Sequence, residues 1–229
     1  MAKRSRIDDT ISTIKSLADP NVVQNMARFG IRAENAYGVS IPVLRKMAKD
    51  LGKDHVLAQG LWRSGIHDAR ILASMIDDPA VAHEHQLESW VSDFYSWDLC
   101  DQVCNNLFVK TEWAWKKAAQ WSKREGEFVK RAGFVLMACL AVHDKKASNQ
   151  RFEELFPLIK EAADDNRNFV KKATNWALRQ IGKRNIHLNR LAIAIAEDIR
   201  NNDRGSARWI GSDAIRELTS EAVRKRLKQ

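Results

Sequence analysis

Glycine and proline are scarce in this chain, 10 and 4 in 229 residues. Neither gathers with serine into a linker, so nothing divides the sequence, and one continuous domain over residues 1–229 is expected. No stretch approaches the roughly 18 consecutive apolar residues of a membrane span. The basic start at residues 1–6 runs into Ile7-Asp8-Asp9-Thr10 rather than into an apolar segment, so no leader or membrane association is expected, and a cytoplasmic location is. The three cysteines, Cys100, Cys104 and Cys139, have no zinc-type spacing and too few histidines near them, which makes them reduced core residues and leaves no metal site in prospect. The six histidines, His143 and His187 among them, show no paired spacing. Alternating runs bounded by hairpin dipeptides are also missing, which excludes a β or mixed fold.

What remains is helical and basic. The net charge of +9 is unevenly spread: residues 1–111 hold 13 Lys and Arg against 14 Asp and Glu, whereas residues 112–229 hold 25 against 15. A one-sided basic field points to a polyanionic partner, nucleic acid before anionic membrane.

The pattern predicts a helix over 43–51, with Ser40 as N-cap and Gly52 as its stop. Asp54 opens the next helix, and Asp77-Asp78-Pro79 ends a later one and starts another. The helices repeat. Phe128-Val129-Lys130-Arg131-Ala132 recurs 41 residues on as Phe169-Val170-Lys171-Lys172-Ala173, each copy beginning a helix. Amphipathic helices over 113–123 and 152–163 precede the two copies, with fainter echoes at Ala207-Arg208-Trp209-Ile210 and at His67 to Leu72. Helix pairs recurring at this interval predict an all-α solenoid of HEAT or armadillo type, in which antiparallel pairs stack and the second helices line a concave groove. Lys130, Arg131, Lys171, Lys172, Arg179 and Arg208 all fall on second helices, where they would meet successive phosphates without reading base sequence.

Trp97 and Asp101, one helical turn apart in Ser96-Trp97-Asp98-Leu99-Cys100-Asp101, set an indole and a carboxylate on one face. Together with Gly38-Val39-Ser40-Ile41-Pro42-x-x-Arg45, Lys130-Arg131-Ala132 and Lys171-Lys172-Ala173-x-x-Trp176-x-Leu178-Arg179, this order of motifs resembles the AlkD-like DNA alkylation-repair glycosylases over most of the chain. One departure is Phe29, where family members can carry tyrosine. The resemblance implies hydrolysis of the N-glycosidic bond of cationic alkylpurines, 3-methyladenine and 7-methylguanine, in duplex DNA. It also implies a nucleoid-associated monomer, with no metal or organic cofactor. By the same resemblance Asp101 is the catalytic carboxylate, Trp97 and Trp176 pack on the lesion's deoxyribose and backbone, and Arg131 binds a nearby phosphate.

The residue types suit that chemistry on independent grounds. A purine alkylated at N3 or N7 leaves as a neutral base and needs no general acid. Positive charge then grows on the sugar, where a fixed carboxylate and aromatic faces stabilise it. Asp98 reads as a first-turn helix acid. Trp62, Trp90, Trp113, Trp115 and Trp121 read as packing aromatics, although Trp113-Ala114-Trp115 at a helix start could touch the duplex. Tyr37 is open to DNA contact or to capping the core. Two other readings suit the same scaffold: a non-catalytic protein that binds damaged or branched DNA, and a protein-interaction array.

Overall fold

The computed structural model describes residues 5–31, 34–202 and 205–227, and all regular structure among them is helical. Part of the basic start and the end of the chain lie outside those residues. The chain forms two compact units, Met1–Thr111 and Glu112–Gln229, and the boundary coincides with the change in charge noted above.

The first unit contains α1 (Arg6–Ser16), α2 (Pro20–Met26), α3 (Ile41–Leu51), α4 (His55–Arg63), α5 (His67–Ile76), α6 (Glu84–Ser92) and α7 (Trp97–Asn106). Its caps follow the sequence. Ser40 precedes α3 in extended geometry, and Gly52 ends that helix at φ 71°, a left-handed backbone that suits glycine. The Asp54 side chain accepts from the Leu57 N–H at 2.8 Å to open α4. Asp77 closes α5 as expected, but α6 begins only at Glu84. Between them the Asp78 carboxylate accepts from the Ala80 N–H at 3.0 Å and holds a turn through Pro79. Helix α5 is the centre of this unit and packs on α3, α4 and α7. Trp62 and Trp90 stack in its core with centroids 4.0 Å apart.

The second unit contains α8 (Ala114–Trp121), α9 (Glu127–His143), α10 (Asn149–Glu153), α11 (Phe156–Glu161), α12 (Asn168–Gly182), α13 (Ile186–Arg200), α14 (Gly205–Leu218) and α15 (Glu221–Leu227). Every residue from Arg131 to Ala141 is buried, so this stretch of α9 is covered on all sides and forms the axis of the unit. It packs on α8 before it and on α12 after it, and α12 packs in turn on α13 and α14. Both copies of the repeat begin helices, with Phe128 and Phe169 in the first turns and their rings 5.6 Å apart. The single helix expected over 152–163 is broken into α10, α11 and a short 3₁₀ turn. The cause is Pro157, which has no N–H to give and crowds the carbonyl four residues earlier.

Cross-helix hydrogen bonds carry the repeat into three dimensions. In the first unit Tyr37 bonds to Asp68, Trp62 to Asp93 and His67 to Asp98, each 31 residues apart. In the second, Arg131 bonds to Phe169, Asn175 to Asp213 and Arg179 to Glu217, each 38 apart. Within each unit the same span thus recurs between bonded partners. Cys100, Cys104 and Cys139 are buried and form no disulfide, as expected. No described helix is long and apolar enough to cross a membrane.

Candidate nucleic-acid interface

Trp97 is the first residue of α7 and Asp101 lies one turn further on, both half-buried. The indole N–H of Trp97 donates to the Phe29 carbonyl at 2.8 Å. That bond fixes the ring's orientation through its polar edge, so its faces remain the surface it can offer a ligand. Phe29 itself is 67% exposed.

The start of α7 is further held by a buried chain of polar groups that sequence spacing did not disclose. Burial pushes the Tyr95 phenol up to about 12, and its hydroxyl lies within hydrogen-bond distance of His67 Nδ1, at 2.9 Å. His67 Nε2 then faces Asp98 Oδ2 at 2.9 Å, and the Ser96 hydroxyl donates to Asp98 Oδ1 at 2.6 Å. His67, whose spacing gave no sign of pairing, is therefore engaged at both ring nitrogens. His187 is paired as well, 2.8 Å from Glu153. The neighbouring Asp68 accepts from the backbone N–H groups of Tyr37 and Val39, each at 2.7 Å, which places the half-buried Tyr37. Two adjacent α5 residues thus position both α7 and the segment leading into α3.

Asp98 is more than a first-turn acid. Burial alone would raise its pKa, but the hydrogen bond and charge of His67, the Ser96 hydroxyl and the Leu99 N–H outweigh burial and lower it. A carboxyl lowered on folding stabilises the protein above its unfolded value of about 3.9 and loses that contribution as pH falls through the folded value. Asp98→Asn is therefore expected to cost about 1–3 kcal/mol at neutral pH. The gap in Tm from wild type should narrow only below about pH 4. Melting curves at successive pH values check this, and a gap that stays constant into strong acid would contradict it.

In the second unit the predicted cations divide into two sets. Lys172 and Arg208 are exposed, and Lys171 lies 5.1 Å from the ring centroid of Trp209, an indole 41% exposed. These face solvent near the starts of α12 and α14. The others are occupied: Lys130 pairs with Asp165 at 3.4 Å, and Arg179 pairs with Glu217 and lies 3.6 Å from Asp213. Arg131 is only 5% exposed, and its Nη1 donates to the Phe169 carbonyl at 2.6 Å. Trp176 is half-buried on α12, four residues after Lys172 and three before Arg179. Trp62, Trp90 and Trp121 are core aromatics as expected, whereas Trp113 and Trp115 are half-exposed. The Trp209 platform was read from sequence only as a repeat marker.

These helix pairs define a HEAT-like repeat protein. One solved structure, described as "a new family of proteins related to the HEAT-like repeat DNA glycosylases with affinity for branched DNA structures", is similar at TM-score 0.79 and 19% identity over 97% of this chain and 96% of its own. A designed armadillo repeat protein in complex with a (KR)4 peptide aligns at TM-score 0.32 and 14% identity, covering 91% and 96% of the two chains. No curated protein matches the sequence. Residues 10–218 match the DNA alkylation repair enzymes, and the chain belongs to that family.

Proposed function

We propose that this protein is a DNA glycosylase that releases cationic N-alkylated purines, 3-methyladenine and 7-methylguanine, from duplex DNA. The observation that carries this reading is the Trp97–Asp101 pair on a helix start held by the His67–Asp98 chain and by the Phe29 carbonyl. In this reading the lesion's own charge makes its base a good leaving group. Asp101 stabilises the positive charge growing on the deoxyribose and orients the attacking water. Trp97 excludes bulk water that would weaken the carboxylate's field. Trp176 packs on the DNA backbone from the second unit, whose exposed cations Lys172 and Arg208 hold phosphates, and the protein acts as a monomer. Arg131 contributes through the start of α12, which it holds by the Phe169 carbonyl. The test is release of free base from methylated duplex DNA by the wild-type protein; no release by folded protein overturns the reading.

A second reading, binding of branched or damaged DNA without turnover, is favoured by the exposed Trp209 beside Lys171, a surface suited to an unpaired base. It shares the phosphate contacts and differs only in base release.

Both DNA readings place Lys172 and Arg208 on phosphates. Lys172→Ala or Arg208→Ala is expected to weaken lesion and plain duplex alike and to make the slope of log K against log salt shallower by about 0.9 each. Titrations over a range of salt read this directly. An unchanged slope in both variants would remove these residues from the interface.

A further inference from the structure

Helices α9 and α12 begin with the repeated Lys-rich motif, but a second basic feature lies at their other ends. There a cavity of about 280 Å³ is lined by Lys145, Lys183, Arg184 and Arg226, with Asn149 and Asn185 among the remaining groups and no carboxylate. Cations at helix C-termini have an ordinary use, which is to satisfy the last carbonyls. Arg184 does this, donating from Nη1 to the Ala141 carbonyl at 2.6 Å, and it lies 4.2 Å from the Phe152 ring centroid. Lys183 is neutralised by Glu217 at 2.5 Å.

That use does not account for the rest. Among the described residues neither Lys145 nor Arg226 is joined to a carboxylate in an ion pair. The Nε of Arg184 is buried and meets no acceptor, so the guanidinium has a donor to spare where water is scarce. Burial also lowers the pKa of Arg184, outweighing the nearby negative charge of Asp144. The Asn185 side chain bonds to Asn149 at 2.8 Å and fixes a polar wall between them. An anion with several acceptor oxygens would meet these needs together. The volume lies at the low end for ligand sites, and a recess of this kind suits a group at a free end rather than the continuous backbone of a duplex.

We propose that this cavity binds a phosphate monoester, supplied either by the terminal phosphate of a DNA strand or by a small phosphorylated compound. The proposal stands independently of base release. The two charges that hold neither a carbonyl nor a carboxylate, Lys145 and Arg226, choose the test. Pyrophosphate, titrated calorimetrically into the full-length protein at constant ionic strength, is expected to bind, and to raise Tm more than an equal ionic strength of chloride. Lys145→Glu/Arg226→Glu should weaken that binding by tenfold or more while its unliganded melt stays close to wild type.

A separate arm identifies the source. Tighter binding of a 5′-phosphorylated duplex than of its unphosphorylated twin, lost in the double variant and competed by pyrophosphate, assigns the site to strand ends. Pyrophosphate binding with no effect of end phosphorylation assigns it to a free phosphate compound. Absence of pyrophosphate binding to wild type, or equal binding by the double variant, overturns the proposal.

Discussion

Asp101→Asn is expected to lower release of 7-methylguanine and 3-methyladenine from methylated duplex DNA by about 10²–10³-fold or more, while leaving DNA affinity within a few-fold of wild type. The substitution keeps the side chain's shape and removes only its charge. If the carboxylate acts mainly on the cationic sugar of the transition state, the loss falls on the rate of the chemical step and not on binding. Single-turnover assays with enzyme in excess separate the two. A variant that releases base at the wild-type rate would return Asp101 to an ordinary helix position. The same assay bears on the missing acid. A neutral lesion such as hypoxanthine has no charge of its own to carry it off, so its release should be slow.

The second large effect is expected at Gly133, in the middle of α9. A Cβ built there would lie 2.3 Å from the Ser122 nitrogen and 2.8 Å from its Cα, atoms of the turn that ends α8. Both are backbone, so neither can swing aside. An alanine in a helix ordinarily gains up to about 1 kcal/mol over glycine, but overpacking of 1–3 kcal/mol or more opposes that gain. Because the clash here is deep and both partners are rigid, the clash wins, and Gly133→Ala should lose about 2 kcal/mol net. In a chain of this length that is a fall in Tm of roughly 4–8 °C. Differential scanning calorimetry measures it; an unchanged or higher Tm would mean that α8 and α9 move apart freely.

Much of this arrangement was legible in the residues. Ser40, Asp54 and Gly52 mark their helix ends because capping depends on local backbone geometry: Ser40 is extended, Gly52 takes a positive φ, and the Asp54 carboxylate reaches an N–H three residues on. The Phe-Val-Lys repeat marks the starts of α9 and α12 for the same reason. The amphipathic pattern through 152–163 reads as one helix, but Pro157 in the first turn of α11 breaks it just before the proline. Partnerships across the repeat were not legible. Arg131 and Arg179 read as cations for phosphate, yet each meets a group 38 residues away, a carbonyl in one case and a carboxylate in the other. Nothing in either residue's own neighbourhood identifies that partner. His67 was missed similarly, since its bonds to Tyr95 and Asp98 span 28 and 31 residues.

The order of packing in the second unit also bears on how it is made. Helix α8 meets α9 and α13 meets α14, each pair joined by a short connection. Contacts between near neighbours in the chain require little loop closure, so the entropy lost before the first favourable contact is small. Such a chain can nucleate at any of its hairpins and grow outward from it. Helix α9, buried from Arg131 to Ala141 and packed on both α8 and α12, is then the helix that commits adjacent hairpins to one another.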